Sequence, residues 1–168
     1  NKTLDLPKNV ISGGINSTSQ INAIKKFIEL ENIQKSIFLI PNLNYDLEIE
    51  KGIKSSKIKI FKKYHYDIEP TKLTQQIEKI TNYAIRKQNL IDEITRLENS
   101  DDPVKERKIE NLKKRYTLGN LSFDSVVITD FDESLKSVIT SLLYSDVSPK
   151  DFHLITLNQW FDESLLKE

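Results

Sequence analysis

The sequence predicts an α/β fold, a three-layer αβα lobe with a mainly parallel sheet. Two observations carry this prediction. Short apolar runs at residues 36–40 and 123–128 have the continuous hydrophobicity of strands that are buried on both faces. They alternate with segments whose apolar residues recur at helical spacing. Strands separated by helices favour parallel pairing with right-handed crossovers and helices on both faces of the sheet.

The size and charge of the chain narrow its function classes. Its 168 residues suit one domain, which we place at residues 1–168. Lysine plus arginine number 25 and aspartate plus glutamate also number 25, so no overall field favours nucleic acid. Cysteine is absent, which excludes thiolate chemistry. No apolar run is long enough for a transmembrane segment.

The first third of the chain predicts two strand–helix units and a third strand. Residues 9–15 form a strand that ends in Gly13 and Gly14. A helix follows with Ile21, Ile24, Phe27, Ile28 and Leu30 on one stripe, and residues 36–40 form a strand that Pro41 stops. A helix over 44–55 then leads to residues 58–66, whose alternating polarity predicts a strand that lies at an edge of the sheet or leaves the core.

Residues 71–119 predict a long antiparallel helical hairpin inserted in the lobe. Apolar residues keep helical spacing without Gly or Pro up to a turn at residues 99–103: Leu73, Ile77, Ile80, Ala84, Ile91 and Ile94. Asp102 and Pro103 are typical of a second helix start, and that helix is expected to reach Leu118. Charges of both signs are mixed on both helices, which indicates solvated faces.

The last third returns to the α/β alternation. Residues 123–128 form a strand, and residues 132–143 form a helix with Leu135, Val138, Ile139 and Leu142 facing inward. Residues 152–157 form a further strand, and residues 158–166 open a short helix that contains Trp160. We interpret Trp160 as a partly buried anchor.

One motif resembles an enzyme site. The run VVITDFDESL at residues 126–135 is similar to the first motif of haloacid-dehalogenase-like phosphatases, in which two aspartates act with Mg²⁺. Here those aspartates are Asp130 and Asp132. Glu133 and Ser134 replace the Gly-Thr of that family, and the tail that follows is short. A chance match at a strand-to-helix loop is the favoured interpretation, and a Mg²⁺-dependent phosphatase is kept as the alternative.

No other motif predicts a cofactor or a metal site. Gly13 and Gly14 lack the spacing of dinucleotide and P-loops, and tight-turn roles explain them. His65 and His153 lie in different strands without a metal-binding partner. We therefore expect no cofactor, no metal and no catalytic residue.

The order of the motifs resembles a known family over nearly the whole chain. The segments are GGINSTSQINAIKKF, IFLIPNLNYDLEIEKGI, FDSVVI and LLYSDVSPKDFHLITLNQWFDESLL, with long charged helices between the second and third. Together they are similar to the second lobe of type I periplasmic binding proteins. The branch they resemble is the amino-acid-receptor-like lipoproteins that act as penicillin-binding-protein activators.

This fold places candidate ligand residues past the carboxyl ends of the strands, where loops and helix N-termini gather. They are Asn16, Ser17, Asn42, Tyr45, Asp130, Asp132 and Asn158. Tyr45 is suited to stacking on a ligand, and the carboxylates are suited to an amino group. For each residue taken alone, a role as a cap or turn former is the favoured interpretation, and Asp132 is a good helix N-cap.

The resemblance implies recognition without catalysis, as in a solute-binding receptor of the cell envelope. It implies a periplasmic location with a lipid anchor in the full-length protein. The expected partners are a small polar ligand such as an amino acid, a peptidoglycan synthase or a transporter subunit. A structural half-domain with no working site is a further alternative.

Overall fold

The computed structural model describes residues 17–43, 46–148 and 152–157. In chain order the elements are α1 Ser17–Leu30, β1 Ser36–Pro41, α2 Asp46–Ser56, β2 Lys62–Tyr66, α3 Pro70–Ile80, α4 Tyr83–Glu98, α5 Lys105–Leu112, β3 Ser125–Ile128, α6 Asp132–Tyr144 and β4 His153–Thr156. The strand expected at residues 9–15 and the helix expected at 158–166, with Trp160, lie outside the described residues.

The four described strands form one sheet in the order β2-β1-β3-β4. All three pairings are parallel, which confirms the predicted sheet. Ser36 pairs with Ser125, and Ile37 pairs with Lys62, so the strands start level with one another. The strand that follows β1 lies on one side of it, and β3 and β4 lie on the other.

Two hydrophobic clusters cover the two faces of the sheet. In β1, Ile37 and Leu39 belong to the cluster that also contains residues of α3 and α6. Phe38 and Ile40 point the other way, into a cluster with residues of α1 and α2. All six residues of β1 are buried because both faces of the strand are covered. This arrangement is the one expected of a three-layer α/β fold.

Helices α1 and α2 pack unusually closely. Ile21, Ile24 and Ile28 are the buried stripe of α1, whereas Phe27 and Leu30, expected on that stripe, are exposed. A Cβ atom placed on Gly52 of α2 would lie 2.8 Å from Cδ1 of Ile21, so a side chain at this position would have to displace the end of the Ile21 side chain.

The first helix expected over residues 71–99 is in fact two helices. The helix is interrupted after α3 because Asn82 adopts the left-handed conformation, with φ of 53°. The hydroxyl of Thr81 donates to the Ile77 carbonyl at 2.8 Å, which helps to end α3. Leu73 and Ile77 are fully buried in the core, so α3 is a covering layer of the sheet.

Helices α4 and α5 lie against each other outside the two core clusters. Lys105 Nζ donates to the Glu98 carbonyl at 3.1 Å, and the backbone N–H of Leu118 donates to the Arg86 carbonyl at 2.9 Å. The segment from α5 to Leu118 therefore runs back along α4 and ends beside the start of that helix. α5 ends at Leu112, earlier than expected. That this pair is an insertion relative to a family lobe stays a prediction.

The connection before β2 also differs from the expectation. Residues 58–61 are not part of the strand, which begins at Lys62. Ile58 and Ile60 nonetheless pack on the core cluster that contains α1 and α2. None of the helices in the described ranges is long and apolar enough to cross a membrane.

Candidate functional site

The carboxyl ends of β1 and β3 bring two predicted ligand residues to one edge of the sheet. Asn42 directly follows β1, and Asp130 lies two residues after Ile128. Ile128 pairs with Leu39, so the register extended by two residues puts Asp130 level with Pro41. The chain turns from β1 toward β2 and from β3 toward β4, so the two loops diverge. Such a divergence is where open α/β sheets bind ligands.

Asp130 is buried, and neighbouring groups donate hydrogen bonds to its carboxylate. The hydroxyls of Tyr66 and Ser134 both donate to its Oδ2 atom. The backbone N–H of Phe131 donates to Oδ1 at 2.9 Å. Only 1% of Asp130 is exposed, and Tyr66 is fully buried. The carboxylate predicted as a ligand group therefore ties the ends of β2 and β3 to the first turn of α6.

Tyr66 is a residue of this site that the sequence-based site prediction omits. β1 lies between β2 and β3, so the Tyr66 side chain crosses the end of β1 to reach Asp130. Its carbonyl accepts the backbone N–H of Asn42 at 2.9 Å. The signal in the sequence is its position as the last apolar residue of the alternating run IKIFKKYHY.

Asp132 is exposed at the start of α6, but its role differs from the expected one. Phe131 occupies the N-cap position in an extended conformation, and Asp132 is the first helical residue. Asp132 has a φ of 54°, a left-handed value that aspartate tolerates better than most residues. Its carboxylate lies in the first turn together with that of Glu133, where the helix dipole favours negative charge.

Of the remaining predicted residues, Ser17 is described by the structure. Ser17 begins α1, and its backbone carbonyl lies against Gly52 of α2, as the distance of 3.4 Å from an added Cβ atom indicates. Asn16, Tyr45 and Asn158 lie outside the described residues. The structure therefore places Asn42, Asp130 and Asp132 at the carboxyl edge of the sheet.

Two further carboxylates flank the same edge after β2. The pKa of Glu69 is lowered because its side chain accepts the backbone N–H groups of Thr71 and Lys72, as the N-cap of α3. The pKa of Asp67 is lowered by the backbone N–H of Glu69 and by the Lys72 ammonium group. The rim of this edge thus carries stable negative charge near α3.

The two carboxylates of the phosphatase motif differ in their surroundings. Asp130 is engaged by Tyr66, Ser134 and Phe131, whereas Asp132 is exposed. Within the described part of the chain, no group of three or more His, Cys, Asp or Glu residues is arranged to hold a metal ion. The geometry favours a structural role for Asp130.

A cleft of about 1350 Å³ opens at the opposite edge, beside the starts of β3 and β4. Its walls are the segment from Lys114 to Leu121 and residues near the strand starts, namely Phe123, Asp124, Phe152 and His153. Arg86 and Asp146 complete the lining. This cleft is separate from Asn42, Asp130 and Asp132, which lie past the other ends of the strands.

Arg86 is the second residue that the sequence-based prediction missed. It lies on α4, whose charged residues were expected in solvent, yet only 7% of it is exposed. Its guanidinium group donates to the carbonyls of Ser145 and Asp146 at 3.2 and 3.0 Å and, at 3.4 Å, to that of Gly119. The Thr117 hydroxyl donates to the Asp146 carboxylate. Arg86 therefore anchors α4 to the end of α6.

No family model, curated protein or solved structure matches the chain.

Proposed function

We propose that the chain is a non-catalytic recognition lobe of the type I periplasmic-binding-protein kind, serving in the cell envelope. The divergence of the loops after β1 and β3 is the observation that carries the proposal. The buried Asp130 supports recognition over catalysis, because its hydrogen bonds from Tyr66 and Ser134 make it a framework for this edge.

The exposed groups at this edge suit a small polar ligand with an amino group, such as an amino acid. Asn42 offers an amide, and Asp132 offers a carboxylate on the first turn of α6. An amide can pair with a ligand carboxyl group, and a carboxylate can pair with an ammonium group. In the full-length protein, a second lobe would close over these groups.

Amide NMR titration with glycine, leucine, glutamate and lysine tests the site. We expect the largest shifts at Asn42 and at residues 131–133, and none at Lys59 on the opposite edge. Asp132→Asn should weaken the response to all four ligands, and Glu106→Gln should not, because Glu106 lies in the first turn of α5. Shifts that are absent, or confined to other surfaces, would contradict the proposal.

The same variant separates recognition from phosphatase chemistry. A generic phosphate ester with Mg²⁺ should not be hydrolysed by the chain. Hydrolysis that requires Mg²⁺ and is lost in Asp132→Asn would favour the phosphatase. Asp132 suits this experiment because it is exposed, so its replacement leaves the core intact.

We propose the α4–α5 pair as the docking surface for a protein partner such as a peptidoglycan synthase. Ile85, Ile91 and Val104 are exposed apolar residues in or beside this pair, between 49% and 61% accessible. None of the residues 88–116 belongs to either described core cluster. A surface of this kind can change without disturbing the sheet.

A deletion of residues 88–116 tests the docking surface. The backbone contact between Leu118 and Arg86 means that a short glycine turn can close the gap. We expect the shortened chain to keep its cooperative unfolding and to lose partner capture. Capture at full strength by the folded, shortened chain would exclude this surface.

A further inference from the structure

Residues 51–63 form a lysine-rich segment in a chain that has no net charge. Residues 51–63 contain Lys51, Lys54, Lys57, Lys59, Lys62 and Lys63 but no aspartate or glutamate. All six lysines are exposed. They span the second half of α2, the connection that follows it and the start of β2, which together adjoin the amino edge of the sheet. Positive charge is therefore concentrated in one region.

The connection at residues 57–61 is held in place by the core. Ile58 is buried and Ile60 is partly buried in the cluster that contains α1 and α2. The backbone N–H of Phe61 donates to the Ser36 carbonyl at 2.9 Å. Because the isoleucines point inward, Lys59 between them points to solvent, and Lys57 before Ile58 is exposed as well. These lysines therefore lie on a segment that the core and one backbone hydrogen bond hold in place.

An exposed aromatic ring lies among the ammonium groups. Phe61 is 42% exposed, and the ammonium groups of Lys35 and Lys62 lie 5.9 and 5.6 Å from the centre of its ring. We define the lysine patch as Lys35, Lys57, Lys59, Lys62 and Phe61. It combines several positive charges with one apolar side chain.

The charges of the lysine patch are available for a partner. Lys63 is excluded from the patch because Glu50 accepts both of its hydrogen bonds, at 2.7 and 2.9 Å. Within residues 17–43, 46–148 and 152–157, no lysine of the patch forms an ion pair. Asp124 borders the patch, where its carboxylate accepts the backbone N–H of Lys35 at 3.0 Å.

We propose that the lysine patch binds the surface of an anionic lipid bilayer. Every cation of the patch is a lysine, a point charge that is attracted to a diffuse anionic surface in any orientation. Nucleic acid and phosphopeptide sites favour the planar fork of arginine, which the patch lacks. The exposed Phe61 ring adds an apolar group that can enter the interface. This inference does not depend on the proposed ligand site.

Cosedimentation with vesicles tests the proposal. The full chain should bind vesicles of equal parts phosphatidylglycerol and phosphatidylcholine, and should not bind vesicles of phosphatidylcholine alone. The triple variant Lys57→Gln, Lys59→Gln, Lys62→Gln should bind about a hundredfold more weakly, since each lysine near such a surface contributes about fivefold. Binding should also fall with added salt.

The matched control removes three exposed lysines elsewhere, as Lys79→Gln, Lys87→Gln, Lys113→Gln. It has the same net charge as the triple variant and should bind like the wild type. Equal losses of vesicle binding in both variants would show that binding depends on net charge alone, and this result would overturn the proposal. Equal binding to vesicles with and without phosphatidylglycerol would also overturn it. So would tighter binding to a DNA oligonucleotide or to polyglutamate than to the anionic vesicles.

Discussion

The two edges of the sheet use charge in opposite ways. At the carboxyl edge, Asp130 is buried and fully engaged by Tyr66 and Ser134. At the amino edge, Lys59 and Lys62 are exposed and form no ion pair within the described residues. A net charge of zero therefore hides a carboxyl edge whose Asp130 is buried and an amino edge whose lysines are exposed.

Each edge also contains an exception to this contrast. The carboxyl edge keeps Asp132 exposed beside the buried Asp130. Near the amino edge, Arg86 is buried among the carbonyls of Gly119, Ser145 and Asp146. A buried charge stabilises a fold only when its hydrogen-bonding capacity is used, and both buried groups meet this condition. The difference between buried and exposed charges separates architecture from recognition.

Replacement of the buried arginine should have the largest effect. Arg86→Ala removes the donors to three carbonyl groups and opens a gap between α4 and the end of α6. We expect a loss of about 3 kcal/mol in the free energy of unfolding. Urea denaturation followed by circular dichroism measures it.

The control for this prediction is Arg107→Ala. Arg107 is an exposed residue of α5, and its replacement should change the unfolding free energy by less than about 0.5 kcal/mol. Equal effects of the two variants would mean that Arg86 is not an anchor, and the contrast between buried and exposed cations would then fail.

Loss of one hydroxyl at the carboxyl edge should have a smaller effect. Tyr66→Phe keeps the ring in the core but removes a donor to the Asp130 carboxylate. We expect a loss of about 2 kcal/mol, typical of a hydrogen bond to a charged group. The same denaturation experiment applies.

Tyr64→Phe is the matched control on the same strand. Tyr64 packs against the same core cluster, and its hydroxyl makes no hydrogen bond within the described residues. Its replacement should be nearly neutral. A Tyr66→Phe variant as stable as Tyr64→Phe would show that the Asp130 network contributes nothing to stability.

The smallest predicted effect is a pH dependence at the start of α3. The folded pKa of Glu69 is below its ordinary value of 4.5, mainly because of the Thr71 backbone N–H. Its contribution is therefore present above the ordinary value and is lost as the pH falls through the lowered pKa. A carboxyl NMR titration should give a midpoint below 4.5 for Glu69.

The matching variant is Glu69→Gln, which removes the titrating group from the N-cap. It should abolish the local change in amide shifts of Thr71 and Lys72 at acid pH. Glu78→Gln, at the other end of α3, should leave that change intact. A Glu69 midpoint at its ordinary value would mean that the cap is open in solution.

The elements that the sequence predicts best are those whose signal is local. The apolar runs of β1 and β3 predict buried strands because a strand that is covered on both faces has apolar residues in succession. The helical spacing of Leu135, Val138 and Leu142 predicts the buried face of α6. These periodicities arise from neighbouring residues, so they require no knowledge of the tertiary structure.

The sequence predicts less where contacts join distant residues. Asp130 follows from the rule on strand ends, but its burial depends on Tyr66, 64 residues away. Arg86 resembles any charged helical residue until Ser145 and Asp146 approach it. The break at Asn82 has no Gly or Pro to mark it, because asparagine adopts the left-handed conformation without either.

The contact between Leu118 and Arg86 has a consequence for the order of folding. The β1–β3 pairing joins residues that are 89 positions apart, and such distant pairings slow folding. If α4 and α5 form first, this contact closes off the segment between them and shortens the effective loop before the sheet assembles. The entropic gain is only a few tenths of a kcal/mol. We therefore expect early pairing of α4 and α5 to decide which elements form first, with little effect on the folding rate.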